Sequence, residues 1–291
     1  MESASTPADG PAWTEDDLAA LEAAYRALEH PSFAARATEL LGVPIEYGLK
    51  KLPEDWQSKV RKASQSALEH ALDIALITMD STPSRHPGLA RKIHKVAVAM
   101  TGTAGGALGF ASLMIELPVT TGIMLRAIAD IARTEGEDLQ SAEARLACIE
   151  VFALGGPRRR DDAAETGYFA VRIALARQVT KAAEYIVEKG VAEQGAPALL
   201  RLITRVAQRF SVQVSEKIAA EAVPIVGAVG GATINVVFID HFQSMARGHF
   251  AVRRLERRYG QASVRRRYEA LQDSGADPRT GSAGHGHGRP S

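Results

Sequence analysis

The chain has 291 residues, 46% of them hydrophobic and 24% charged, which suits a globular protein of one large or two modest domains. Wholesale disorder, a collagen repeat and a disulfide-stapled scaffold are excluded. The single cysteine, Cys148, also excludes an intrachain disulfide and any structural zinc site needing two thiolates. Lysine plus arginine (35) balance aspartate plus glutamate (34), so no global field seeks nucleic acid. The balance hides a gradient: residues 1–60 carry 5 basic and 11 acidic side chains, residues 241–291 carry 10 and 4.

Residues 1–12 have no basic n-region and no apolar core, so they read as a disordered lead rather than a secretory signal. With one cysteine, the expected location is the reducing cytoplasm. Thr14 ahead of Glu15, Asp16 and Asp17 is an N-cap with acids at the positive end of the helix dipole. Leu18, Leu21, Ala24, Tyr25 and Leu28 then keep helical spacing until Pro31. A shorter helix is predicted from Phe33 to Leu41, ending at Gly42. Pro53-Glu54-Asp55 opens a third, with Val60, Ala67, Ala71, Ile74 and Ala75 on one face and a break at Ser81-Thr82-Pro83. Asp138 precedes a helix carrying Ala142, Leu146, Ile149 and Phe152, which Gly155-Gly156-Pro157 ends.

The charged stretch Arg158 to Asp162 reads as a solvated loop and a candidate subdomain break near 157–163. Helices are predicted over Tyr168–Lys189, Ala198–Phe210, Val212–Ala222 and Phe238–Tyr259, with a last amphipathic one over Ser263–Gln272. No period-2 strand and no repeat stand out. The expected fold class is all-α, a multi-helix bundle in a single domain over 13–273. Residues 274–291, rich in Gly and containing His285 and His287, read as a disordered tail.

Two runs lack any charged residue: Val96 to Ile115, 20 residues, and Ala222 to Ile239, 18 residues. Both sit at the length a spanning helix needs, about 20 residues, but glycine and threonine dilute their lipophilicity. Gly102, Gly105, Gly106 and Gly109 in the first, and Gly227, Gly230 and Gly231 in the second, give small-residue spacing that lets helix backbones approach closely. Phe110 adds an aromatic contact to the first. Interior glycine costs about 1 kcal/mol per helix position, so both runs must recover that through packing. Three arrangements fit: a buried central hairpin, a hairpin held at a membrane interface, and two membrane spans.

Polar residues inside this apolar context are the candidate site. Glu116 follows the first run and precedes Pro118, which is expected to interrupt it; the carboxylate suits a helix N-terminus or an ion pair with Arg126. Asn235, inside the second run, needs hydrogen-bond partners and is expected to tie two helices together. His241 and His249 share a helix face but lie two turns, about 12 Å, apart, too far for joint metal ligation; no metal and no cofactor are expected. An enzyme reading would gather Glu116, Asn235, His241 and His249 into one pocket as a hydrolase or metal-dependent site. No G-x-S-x-G elbow or phosphate loop supports it. Arg253, Arg254, Arg257, Arg258, Arg265, Arg266 and Arg267 make a basic C-terminal face, suited to anionic headgroups or to ion pairs with Glu256, Glu269 or the acidic N-terminal arm.

Several ordered motifs carry a resemblance. Glu116-Leu117-Pro118-Val119-Thr120-Thr121, Ile128-Ala129-Asp130-Ile131-Ala132 and Cys148-Ile149-Glu150-Val151-Phe152-Ala153-Leu154-Gly155-Gly156 come first. Pro224 to Ala232 follow with Asn235 and Phe238, then His241-Phe242, Ala246, His249-Phe250 and Arg254-Leu255-Glu256. Together they resemble the EcsC protein family over roughly residues 55–270, leaving the acidic N-terminal arm outside the likeness. The resemblance implies a bacterial protein related to one encoded beside an ABC transporter, and it supplies no reaction and no catalytic residues. The expected function is therefore non-enzymatic: a cytoplasmic protein, peripheral to the inner membrane, whose partner is a membrane surface or a transporter complex. Self-association into a homo-oligomer through the same runs is the structural alternative, and no nucleic-acid partner is expected.

Overall fold

A computed structural model describes residues 11–29, 32–42, 44–50, 52–78, 109–156, 167–189, 197–223 and 227–274. Ten α-helices and one 3-10 turn account for them, with no strand among the described residues: α1 (Glu15–Glu29), α2 (Phe33–Leu41), α3 (Glu46–Leu49), α4 (Trp56–Thr78), α5 (Gly109–Thr134), α6 (Ala142–Glu150), the 3-10 turn Val151–Ala153, α7 (Tyr168–Lys189), α8 (Pro197–Glu221), α9 (Gly227–Tyr259) and α10 (Gln261–Asp273). The all-α bundle is the fold the sequence pattern demands.

Local chemistry sets the helix starts. The Thr14 hydroxyl accepts from the Asp17 backbone N–H at 3.2 Å, Ser32 caps α2 and Ser141 caps α6, each satisfying a donor the first turn leaves open. Asp138 therefore lies three residues ahead of the true cap, its carboxylate accepting from Gln140. Gly42 closes α2 in the left-handed region at φ 67°, where glycine carries no steric cost.

The centre of the bundle is α6 with its 3-10 extension: every residue from Ala144 to Leu154 is buried. A helix enclosed on all sides needs neighbours all round, and α4, α5 and α7 supply them for α6, while α8 and α9 cover the 3-10 turn. Arg145, inside this core, donates to the carbonyls of Leu139 and Leu76 at 2.6 and 2.9 Å. Phe152 meets Phe210 and Phe242 at 5.3 and 5.4 Å between ring centres, and Phe238 and Phe33 extend the aromatic cluster. On the outside, α3 lies against α8 so closely that a Cβ on Gly48 would fall 1.8 Å from the Ala219 carbonyl oxygen.

Three expectations are corrected. Ala198–Phe210 and Val212–Ala222 form one helix, α8, because no Gly or Pro separates them and Leu202, Val206, Phe210 and Val214 continue one buried stripe. The helix expected from Phe238 begins at Gly227, so the second apolar run is largely helical. Pro118 does not interrupt α5, which continues through it to Thr134; one lost backbone donor is outweighed by the buried contacts of Leu117, Met124, Leu125 and Ile128. The break at 81–83, the loop at 158–162 and the tail from 275 lie outside the described residues.

Candidate functional site

Lys217 is almost fully buried on α8, with its side chain 3% exposed. Its Nζ lies 3.0 Å from Glu116 Oε1 on α5 and 2.8 Å from Glu221 Oε1 one turn on, and 5.8 Å from the centre of the Phe238 ring on α9. Glu116 is the residue after the first charge-free run, and Phe238 is the penultimate residue of the second. The ends of both runs thus meet at one ammonium, where α5 and α9 pack together. Burial pulls the Lys217 ammonium down, but the two carboxylates outweigh it and hold it above its usual range. Burial likewise pushes Glu221 up.

One turn back along α8, Gln213 donates to the Leu154 carbonyl, and Glu216, next to Lys217 in the chain, lies by the Ala34 backbone N–H. His241 packs beside them against Phe33 and Phe242. Gly155 has to be glycine here: its φ is +72°, and a Cβ would lie 2.7 Å from His241 Nε2 and from Met245 Sδ. Both ring nitrogens of His241, Gln213 Oε1, Glu216 Oε2 and Asn235 Oδ1 are buried without a hydrogen-bond partner among the described residues. Burial drives His241 down to about 4, with the Arg36 charge adding to it, and drives Glu216 up to about 7. Both are neutral over much of the range in which their free counterparts are charged.

His249 occupies a different environment. Its Nδ1 lies 3.0 Å from the Tyr168 hydroxyl, and Glu29 accepts from both the Tyr168 N–H and the Tyr268 hydroxyl. Burial holds His249 well below its ordinary value, and Arg172 and Arg253 reinforce this. Arg172 forms a bidentate pair with Glu256 at 2.7 and 3.0 Å. Glu150, enclosed beside it, is pushed up to about 7 by burial.

The C-terminal arginines of α9 are tied to carboxylates of the fold, Arg253 and Arg254 half-buried and Arg257 and Arg258 exposed. Arg253 grips Glu137 with two hydrogen bonds, at 2.9 and 3.1 Å, and Arg257 pairs with the same carboxylate. Arg254 bridges Glu135 and Asp17 at 2.8 Å each, and Arg258 reaches Asp17 at 2.9 Å. Asp17 is lowered to about 2, first by the Tyr259 hydroxyl and then by Arg254. The acidic N-terminal arm and the basic C-terminal surface thus meet each other. On α10, Arg265 pairs with Glu269 and Arg267 stacks over Trp13.

Contrary to expectation, Glu116 is not at a helix N-terminus and is not paired with Arg126; it lies inside α5 and binds Lys217. Its ordering partner was legible in principle, because Lys217 falls seven residues after Phe210 and three after Val214, on the apolar stripe of α8. Asn235 is buried, with its Oδ1 making no tie between helices among the described residues. His241 and His249 are separately enclosed, one by aromatic rings and one by Tyr168. Gly102, Gly105 and Gly106 lie outside the described residues. Gly109 and Phe110 begin α5, and Gly227, Gly230 and Gly231 begin α9. Among the described residues no group of three or more His, Cys, Asp or Glu is placed to hold a metal ion, and no helix is long and apolar enough to cross a membrane. Burial pushes the Cys148 thiol up to about 12, which makes it a packing group rather than a nucleophile.

An all-helical bundle in which two charge-free runs converge on the buried Glu116–Lys217–Glu221 group is the structural class the described residues define. The model described as the EcsC protein family matches residues 16–255, and the chain belongs to that family. The match begins inside α1, well ahead of residue 55, so residues 16–30 of the acidic arm belong to the family domain; the contacts of Asp17 with Arg254 and Arg258 hold that segment to α9. No curated protein and no solved structure matched the chain.

Proposed function

We propose that this EcsC-family protein is a non-enzymatic helical adaptor that associates peripherally with the inner membrane, or with a transporter complex in it, through the end of the bundle where the two charge-free runs converge. The observation that carries this reading is the meeting of Glu116, Lys217 and Phe238. Close by on the second run, Val236 stands 64% exposed while its neighbours Ile234 and Phe238 are buried. Val119 on α5 and Tyr47 on α3 are exposed at 40% and 53%. On the second run, one helix face is thus anchored in the core while the other presents Val236 outward, the division an interfacial helix needs. The polar clusters favour structure over catalysis: Lys217, Arg172, Arg253 and Arg254 each have carboxylate partners.

Flotation with liposomes tests it. The purified chain is expected to rise with vesicles and to stay at the bottom of the gradient without them. Recovery at the bottom under both conditions would refute the reading.

A further inference from the structure

We propose that the outer face of α7 and α8 is a surface that meets anionic lipid headgroups, a role the sequence pattern offers, beside internal ion pairing, to the arginines of α9 and α10. The inference rests on the membrane reading above and goes beyond it by adding a second contact surface, about 18–24 Å along α8 from Lys217, and by naming its lipid chemistry and residues. Arg177 and Lys181 on α7 and Arg201 and Arg205 on α8 are exposed, the two helices pack against one another, and none of the four has an ion pair among the described residues. The α9 arginines, by contrast, are tied to Asp17, Glu135 and Glu137.

The exposed stripe of α8 contains no acidic residue: its two glutamates, Glu216 and Glu221, lie outside it, in or beside the buried clusters. Leu200 and Val212, exposed at 42% and 40%, bracket the two arginines over about 18 Å of helix. Cations flanked by isolated apolar side chains suit a headgroup layer, where the charge pairs with phosphate and the aliphatic chain reaches the acyl boundary. The absence of an exposed aromatic ring on either helix disfavours single-stranded nucleic acid, which needs stacking platforms. Glu184 and Glu188 are also exposed on α7 and reduce the local charge, leaving α8 as the stronger half. Each basic residue near an anionic membrane is worth roughly fivefold in partitioning.

The test is co-sedimentation of the full chain with phosphatidylcholine vesicles, with and without phosphatidylglycerol. Three proteins are compared: wild type, R177E/K181E/R201E/R205E, and the control R265E/R266E/R267E. Wild type and control should prefer anionic vesicles at least tenfold, and the four-site variant should lose that preference. R201Q/R205Q, a milder change, should lose at least half of it on a logarithmic scale, which covers the case where charge reversal disturbs folding. An unchanged preference in R201Q/R205Q, or a loss confined to the α10 control, would overturn the assignment. Equal binding of wild type to neutral and anionic vesicles would overturn this inference while leaving the membrane reading in place, and binding to neither would end both.

Discussion

Lys217 Nζ sits 3.0 Å from Glu116 Oε1, joining α8 to α5 at the point where the first charge-free run ends. With Glu221 on its other side, the ammonium is buried and shared by two carboxylates. Removing one member of such a buried group leaves uncompensated charge, which costs more than the pair contributes. Lys217→Met should therefore destabilise the protein by about 3–5 kcal/mol, while Glu116→Gln, which leaves Glu221 in place, should cost far less. Urea denaturation of both variants checks the order; equal losses would mean that the lysine is anchored by packing alone.

His241 is buried as a neutral imidazole, with its folded value near 4 against an ordinary value of 6.5. A depressed folded value contributes stability that is present above pH 6.5 and lost as the pH falls towards 4, because the unfolded chain binds the proton first. His241→Phe keeps an aromatic ring among Phe33 and Phe242 and removes that linkage. The stability difference should move in favour of the variant as the pH drops from about 6.5 to 4, read from melting curves across that range. A constant difference would show that His241 is not held neutral.

Asp17 behaves with the opposite chemistry and the same sign of pH dependence. Tyr259 and Arg254 hold its carboxylate near 2 against 3.8, so its contribution is complete above pH 4 and disappears as the pH falls through 2. Asp17→Asn should cost about 1–2 kcal/mol at pH 7, with the gap to wild type closing in acid. Carbon-detected NMR titration of the Asp17 carboxylate checks the midpoint directly.

Gly48 allows α3 to touch α8. A methyl group there collides with the backbone of Ala219, which cannot swing aside as a side chain can. Gly48→Ala should cost about 2 kcal/mol or more and loosen α3, whereas Gly156→Ala, which meets nothing within 4 Å, should be near neutral. Hydrogen exchange over residues 44–50 reports the loosening.

Much of the bundle was legible because its signals are local. The Thr14 cap, the Gly42 stop and the apolar spacing of Leu21, Ala24, Tyr25 and Leu28 each act within a turn or two. The continuity of α8 is equally local: Phe210-Ser211-Val212 carries no breaker, and Leu202, Val206, Phe210 and Val214 keep one stripe across the division expected there. The site was less legible. Glu116 stood out by its position after an apolar run, but its partner lies 101 residues away in the chain, and charge pairing at that separation leaves no periodic trace. The C-terminal arginines left headgroups and ion pairs both open for the same reason: of their carboxylates, Asp17 comes from the acidic arm that the charge gradient pointed to, but Glu135 and Glu137 come from the turn after α5.

In the proposed orientation the end of the bundle near Val236 faces lipid. The native thiol, Cys148, is buried, so Val236→Cys can be labelled selectively with the environment-sensitive dye NBD on the full chain. With vesicles present, the emission should shift to the blue and be quenched by spin-labelled lipid. Unchanged emission from vesicle-bound protein would contradict the proposed orientation outright.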